Sequence, residues 1–164
     1  MIITASPTGL FTLAGHWSGT DRLWFTPDDL ANEGAATAVI RPTLGGNGVI
    51  SEYRWVMGDD EHHGVLLIVP VDGGHQLALA DTFHTDGSIM SLQPSPEPDP
   101  AALADALGSY EGDGETWGWR VAVAHPEHDR IEITMWNISP AGDATRSVST
   151  RLTRDVDPAE DVSL

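Results

Sequence analysis

What most limits the fold of this chain is that strand-like segments keep returning at short intervals, each bounded by glycine, proline or acidic turn residues. About ten are legible. LAGHWSGTDRLWF (Leu13 to Phe25) comes first, then AATAVIRPTL, GVISEYRWVM, HGVLLIVPV, HQLALADTFH, SIMSLQP, GSYEGD, TWGWRVAVA, RIEITMWNI and TRSVSTRLT. The joints VDGG and HTDG suit hairpins, because glycine and aspartate tolerate positive φ. So many antiparallel segments exceed what a small open sheet uses and suffice to close a barrel. The first segment alone is ambiguous, since Trp17 and Trp24 would share a helix face but oppose each other across a strand. Gly15 and Gly19 decide for a strand, because each would cost a helix about 1 kcal/mol relative to alanine.

The expected fold is therefore all-β: a single antiparallel up-and-down barrel of about ten strands, with one short helix or irregular segment near residues 100–108. Asp99 would cap that helix, with Pro100 in its first turn. The 164 residues fit one domain. Residues 1–12 read as an N-terminal extension, 13–154 as the barrel and 155–164 as an acidic tail expected to be disordered.

Charge and composition remove several function classes. The chain carries 25 acidic and 8 basic residues, a net −17, and its bases are scattered, so nucleic acid is not expected as a partner. Every base is arginine, which excludes Schiff-base chemistry and a phosphate-loop lysine. The absence of cysteine removes disulfides and thiolate nucleophiles. The start ITASPTGLF lacks the basic and long apolar runs of a signal peptide, and no apolar run would span a bilayer, so a cytoplasmic protein with no membrane partner is expected.

Alternation within the segments assigns sides. In GVISEYRWVM the charges of Glu52 and Arg54 mark one set as outward, which turns Ser51, Tyr53 and Trp55 inward. The same rule turns Leu77, Leu79, Asp81 and Phe83 inward, then Trp117, Trp119, Val121 and Val123, then Ile131, Ile133, Met135 and Asn137. An interior that mixes aromatic and apolar side chains with Asp81 and Asn137 suits a ligand cavity better than a dry core. The expected ligand-binding set is Tyr53, Trp55, Asp81, Phe83, Trp117, Trp119, Met135 and Asn137, and the expected partner is one small apolar or aromatic molecule. Asp81, surrounded by apolar residues, would favour its neutral form unless a donor such as Arg120, Tyr53 or a tryptophan N–H pairs with it. An alternative makes Asp81 and His84 the acid and base of a cofactor-free isomerase, cyclase or hydrolase. Asp21 shares the inward side of the first strand unless a bulge at Gly19 turns it out.

The spacing of Leu13, Gly15, Trp17 and Gly19, with the arginine-rich last segment, resembles the calycin-like barrels: lipocalins, fatty-acid-binding proteins, nitrobindins and the domain of unknown function 1579 family. The likeness is greatest to the last of these, through HWSGTDRLWF, HGVLLIVPVDGGHQLALADTFHTDG and the closing RLTR. It implies that Trp17 closes one end of the barrel and that Arg151 or Arg154 stacks across it. Trp24, on the other side, could support a homodimer contact. A nitrobindin-like reading would add haem on a late-strand histidine, and TMWNISPAG and TRSVSTRLTR contain none. For metal, His62 and His63 would point apart on a strand, and His125 with His128 in a turn lacks a second pair. No cofactor is expected, with haem and metal kept as lesser alternatives.

Overall fold

The computed structural model describes residues 8–156. A four-residue helix, α1 (Thr8–Phe11), precedes ten strands: β1 (Gly15–Leu23), β2 (Asn32–Thr43), β3 (Gly48–Met57), β4 (Asp60–Val71), β5 (Gly74–Asp81), β6 (Met90–Pro94), β7 (Ala104–Gly112), β8 (Glu115–Glu127), β9 (Arg130–Ile138) and β10 (Ala144–Arg154). Each strand pairs antiparallel with the next, and β1 pairs with β10, closing the barrel. The alternating letters translate directly into sides. Trp17, Asp21 and Leu23 of β1, Val49, Ser51 and Trp55 of β3, and Val121 and Val123 of β8 are buried inside. His16, Arg22, Glu52, Arg54 and Arg151 are exposed. Apolar-in and polar-out is the reverse of the alternation in a membrane-spanning barrel. Among the described residues no helix is long and apolar enough to cross a membrane.

One end of the barrel is closed. Leu10 of α1 and the following Leu13 are buried beneath Trp17, whose Nε1–H donates to the Leu13 carbonyl at 2.9 Å. The Arg154 guanidinium carbon lies 4.2 Å from the centre of a Trp17 ring. That guanidinium also donates to the carbonyls of Ala14 and Thr12, each at 2.7 Å. Gly19 sits where β1 presses on β10: a Cβ there would collide with the Arg151 carbonyl. Arg151 itself points outward, 4.0 Å from Glu132, so Arg154 is the arginine that stacks. Residues 8–12, read from sequence as part of an extension, thus supply part of this closure. The acidic tail read at 155–164 falls outside the described residues from 157 onward, and Asp155 at its start accepts a hydrogen bond from Ser18.

Three alternatives that the sequence left open are decided. No helix forms at 100–108: Asp99 caps a single turn through Ala101 N–H at 2.9 Å, and Leu103 N–H then joins the Val123 carbonyl at 2.8 Å, so β7 begins at Ala104. The buried side chains of Ala104 and Ala106 explain why the alanine-rich stretch prefers the sheet. Arg120 does not reach Asp81. Its even position on β8 sends it outside, where it pairs with Asp105 at 2.6 and 2.9 Å and lies 4.9 Å from the Trp136 ring. Gly19 carries no bulge, since the β1 ladders run unbroken on both sides, and Asp21 faces in.

Candidate ligand site at the open end of the barrel

The site starts from the way β5 ends. Alternation carries Leu77, Leu79 and Asp81 inward, and at Asp81 the strand stops because its own carboxylate captures the next turn. Oδ1 accepts the backbone N–H groups of Phe83 at 2.7 Å and His84 at 2.9 Å. The Thr85 hydroxyl accepts the Asp81 N–H at 2.8 Å and reaches the Ser88 carbonyl at 2.7 Å. This local folding brings both Phe83 and His84 over the barrel mouth, where strict strand parity would have separated them.

From the opposite wall, Oδ2 accepts Tyr53 Oη–H at 2.9 Å and Trp55 Nε1–H at 3.2 Å. Gly64 makes the first of these possible. It faces Tyr53 across the β3–β4 ladder and Asp81 across the β4–β5 ladder, and any Cβ there would collide with the Tyr53 ring. Burial works to raise the Asp81 pKa, but the adjacent His84 imidazole and the two backbone N–H donors outweigh it and hold the carboxyl well below the usual range. Tyr53 and a tryptophan N–H are thus the donors that the sequence left open, and with them the ionised form of Asp81 is favoured. Burial, with the neighbouring Asp81 charge, pushes the Tyr53 hydroxyl far up, so it stays a donor. Asp21, whose carboxylate accepts Thr150 Oγ1–H at 2.5 Å, has its pKa raised, chiefly by burial.

An aromatic box lies above this carboxylate. His62 stacks on Trp55 with ring centres 4.5 Å apart, and Phe83 meets Trp55 edge-on at 5.3 Å. His84 sits between Trp55 at 5.5 Å and Trp119 at 5.6 Å. Its Nδ1 is 3.3 Å from Asp81 Oδ1, close enough for charge attraction but off the direction that a hydrogen bond needs. Among the described residues, the buried side-chain polar atoms without a hydrogen-bond partner are His62 Nε2, both nitrogens of His84 and Trp119 Nε1. All lie in this box.

Two spaces meet at His84. Inside the barrel a cavity of about 40 Å³ is bordered by Asp21, Tyr53, Trp55, Asp81, His84 and Met135. That holds a few waters, not the ligand chamber expected from the inward parity. Outside it a crevice of about 460 Å³ runs along Trp24, Phe25, Phe83, His84, Tyr110 and Trp119. A larger groove of about 590 Å³ lies on the outer face among Glu52, Arg54, His63 and Thr82, and none of the unpartnered nitrogens borders it.

The eight expected ligand residues thus divide. Tyr53, Trp55, Asp81 and Met135 surround the inner cavity, and Phe83 and Trp119 wall the crevice. Asn137 accepts the Tyr110 hydroxyl at 2.7 Å, and Trp117 packs by Gly112, so neither borders the two spaces. Trp24 is covered by Arg146, whose guanidinium carbon is 4.4 Å from its ring centre. Sequence reading missed His62 and Gly64. His62 was legible as the inward neighbour of the outward His63, and Gly64 as a mid-strand glycine that needs a close-packed partner.

Among the described residues no three His, Asp or Glu side chains converge as metal ligands. His125 is engaged at the closed end, with Thr12 Oγ1 at 3.0 Å and the His128 carbonyl at 3.2 Å. β9 and β10 carry no histidine, so the residues present do not fit haem in the manner the resemblance implies. Residues 8–154 match a family model described as Protein of unknown function (DUF1579). No curated protein matches the chain.

Proposed function

We propose a function from one premise, that the chain belongs to the DUF1579 family of proteins of unknown function: it is a cytoplasmic binder of a small, flat, largely apolar molecule at the open end of the barrel. The observation that carries this is the crevice of about 460 Å³ with Phe25, Phe83 and Trp119 on its walls and the unpartnered His84 at its base. Six tryptophans in 164 residues and an exposed Phe25 in the β1–β2 loop are consistent with a mouth built to meet an aromatic surface. At the closed end Trp17 is fully partnered. Native mass spectrometry and indole NMR against a panel of aromatic metabolites and fatty acids test the reading. Binding of a flat aromatic that perturbs the Trp119 indole signal supports it, and no binding at millimolar concentration overturns it.

The approach of His84 Nδ1 to an ionised Asp81 favours a second reading, in which His84 acts as general base in a cofactor-free isomerase, cyclase or hydrolase. Substitution of Asp81 would not separate the two readings, because that carboxylate also pins the turn. His84→Gln does: the glutamine amide still offers a donor, so turnover that vanishes with affinity kept within about tenfold selects the enzyme.

A further inference from the structure

We infer that the molecule bound at the mouth is an uncharged planar compound carrying a carbonyl-type oxygen, and that Trp119 Nε1–H and the His84 imidazole are the donors that recognise it. The inference rests on the binding reading above and adds the chemical class of the ligand. An indole N–H can only donate, and Trp119 is 8 % exposed with no acceptor in reach. Beside it, a His84 side chain that is 10 % exposed has neither ring nitrogen hydrogen-bonded. Buried donors left unsatisfied are costly, and two adjoining ones in a single aromatic box on the wall of a crevice call for one shared acceptor.

Charge narrows the acceptor. A carboxylate ligand would face the Asp81 anion 3.3 Å behind His84, within a chain of net charge −17 and with no arginine on the crevice wall. A cation would satisfy the aromatic faces but would leave the indole N–H without an acceptor. A ketone, quinone or amide oxygen meets both conditions. The rings of the box cover these nitrogens, and the exposed Phe25 stands at the crevice, edge-on to Phe83 with ring centres 6.3 Å apart.

Three probes of one ring system separate the possibilities: 2-acetylnaphthalene, 2-naphthoate and naphthalene, titrated into the full chain by calorimetry. The ketone is expected to bind about tenfold more tightly than naphthalene, the worth of one good hydrogen bond. Trp119→Phe should erase most of that preference, so that the variant, unlike the unsubstituted protein, binds the ketone and naphthalene about equally. Equal affinity for ketone and hydrocarbon, or naphthoate binding best, overturns the inference and leaves the binding reading standing. Failure of all three probes to bind removes both. Should Trp119→Phe not fold, the Nε1–H resonance of Trp119 in the unsubstituted protein decides: a downfield shift specific to the ketone supports the inference, and none overturns it.

Discussion

The two ends of the barrel are built from the same materials and finished differently. Each has tryptophan, histidine and a charged group in contact. At the closed end Trp17 Nε1, His125 and the Arg154 guanidinium all have partners, most of them backbone carbonyls. At the open end Asp81 is saturated with donors, while among the described residues His62 Nε2, both His84 ring nitrogens and Trp119 Nε1 above it have no hydrogen-bond partner. A satisfied polar cluster stabilises a fold, whereas donors kept apart from acceptors have stability withheld from them and remain available to a ligand. The contrast assigns stability to one end and recognition to the other.

Substitutions can break or sharpen that division. Trp17→Ala should have the largest effect, a loss of about 4 kcal/mol in denaturant unfolding, because it empties the closed end and strips the stacking face from Arg154. Asp81→Ala should cost about 3 kcal/mol, since Tyr53, Trp55 and two backbone N–H groups lose one buried acceptor. The same carboxylate sets an acid limit. Its folded pKa is depressed, so the stability it contributes is present above the unfolded value of about 3.9 and drains away as pH falls below that, visible as a falling melting temperature that Asp81→Ala no longer shows. Gly64→Ala should cost about 2 kcal/mol by driving the Tyr53 ring off Asp81, and a crystal structure would show the lost contact. Asp21 has the opposite sign. Its raised folded pKa favours folding below the unfolded value of about 3.9 and withdraws that support as pH rises above it, so Asp21→Asn should gain in melting temperature on the unsubstituted protein as pH is raised from acid to neutral. His84→Gln should cost about 1 kcal/mol in thermal melts, because it breaks no hydrogen bond of the folded protein but removes the ring packed between Trp55 and Trp119 and its attraction to Asp81.

The barrel was legible because period-two alternation survives in nearly every strand, and because charged residues such as Glu52 and Arg54 mark the outward face without ambiguity. The inward placement of Tyr53, Trp55, Asp81 and Trp119 followed from the same rule. What alternation could not supply was distance across the barrel. That Tyr53 and Trp55, not Arg120, would satisfy Asp81 depends on Gly64, which pairs with both neighbouring strands and lacks the atom that would hold them apart. Nor could it foresee that Asp81 ends its strand by capturing Phe83 and His84, so that a residue expected at the rim becomes the floor of the crevice. The volume inside was equally hidden. Inward parity counts side chains without measuring how completely Leu66, Leu79, Val121 and Met135 fill the space between them.

The pairing of β1 with β10 sets a timetable for the molecule. Trp17 lies opposite Arg154 in the last strand, so during synthesis the first strand has to wait with one edge bare until the last emerges. Such distant pairing slows folding, and the tightening of Arg154 onto the Trp17 indole should be the last fluorescence change to appear when the protein refolds.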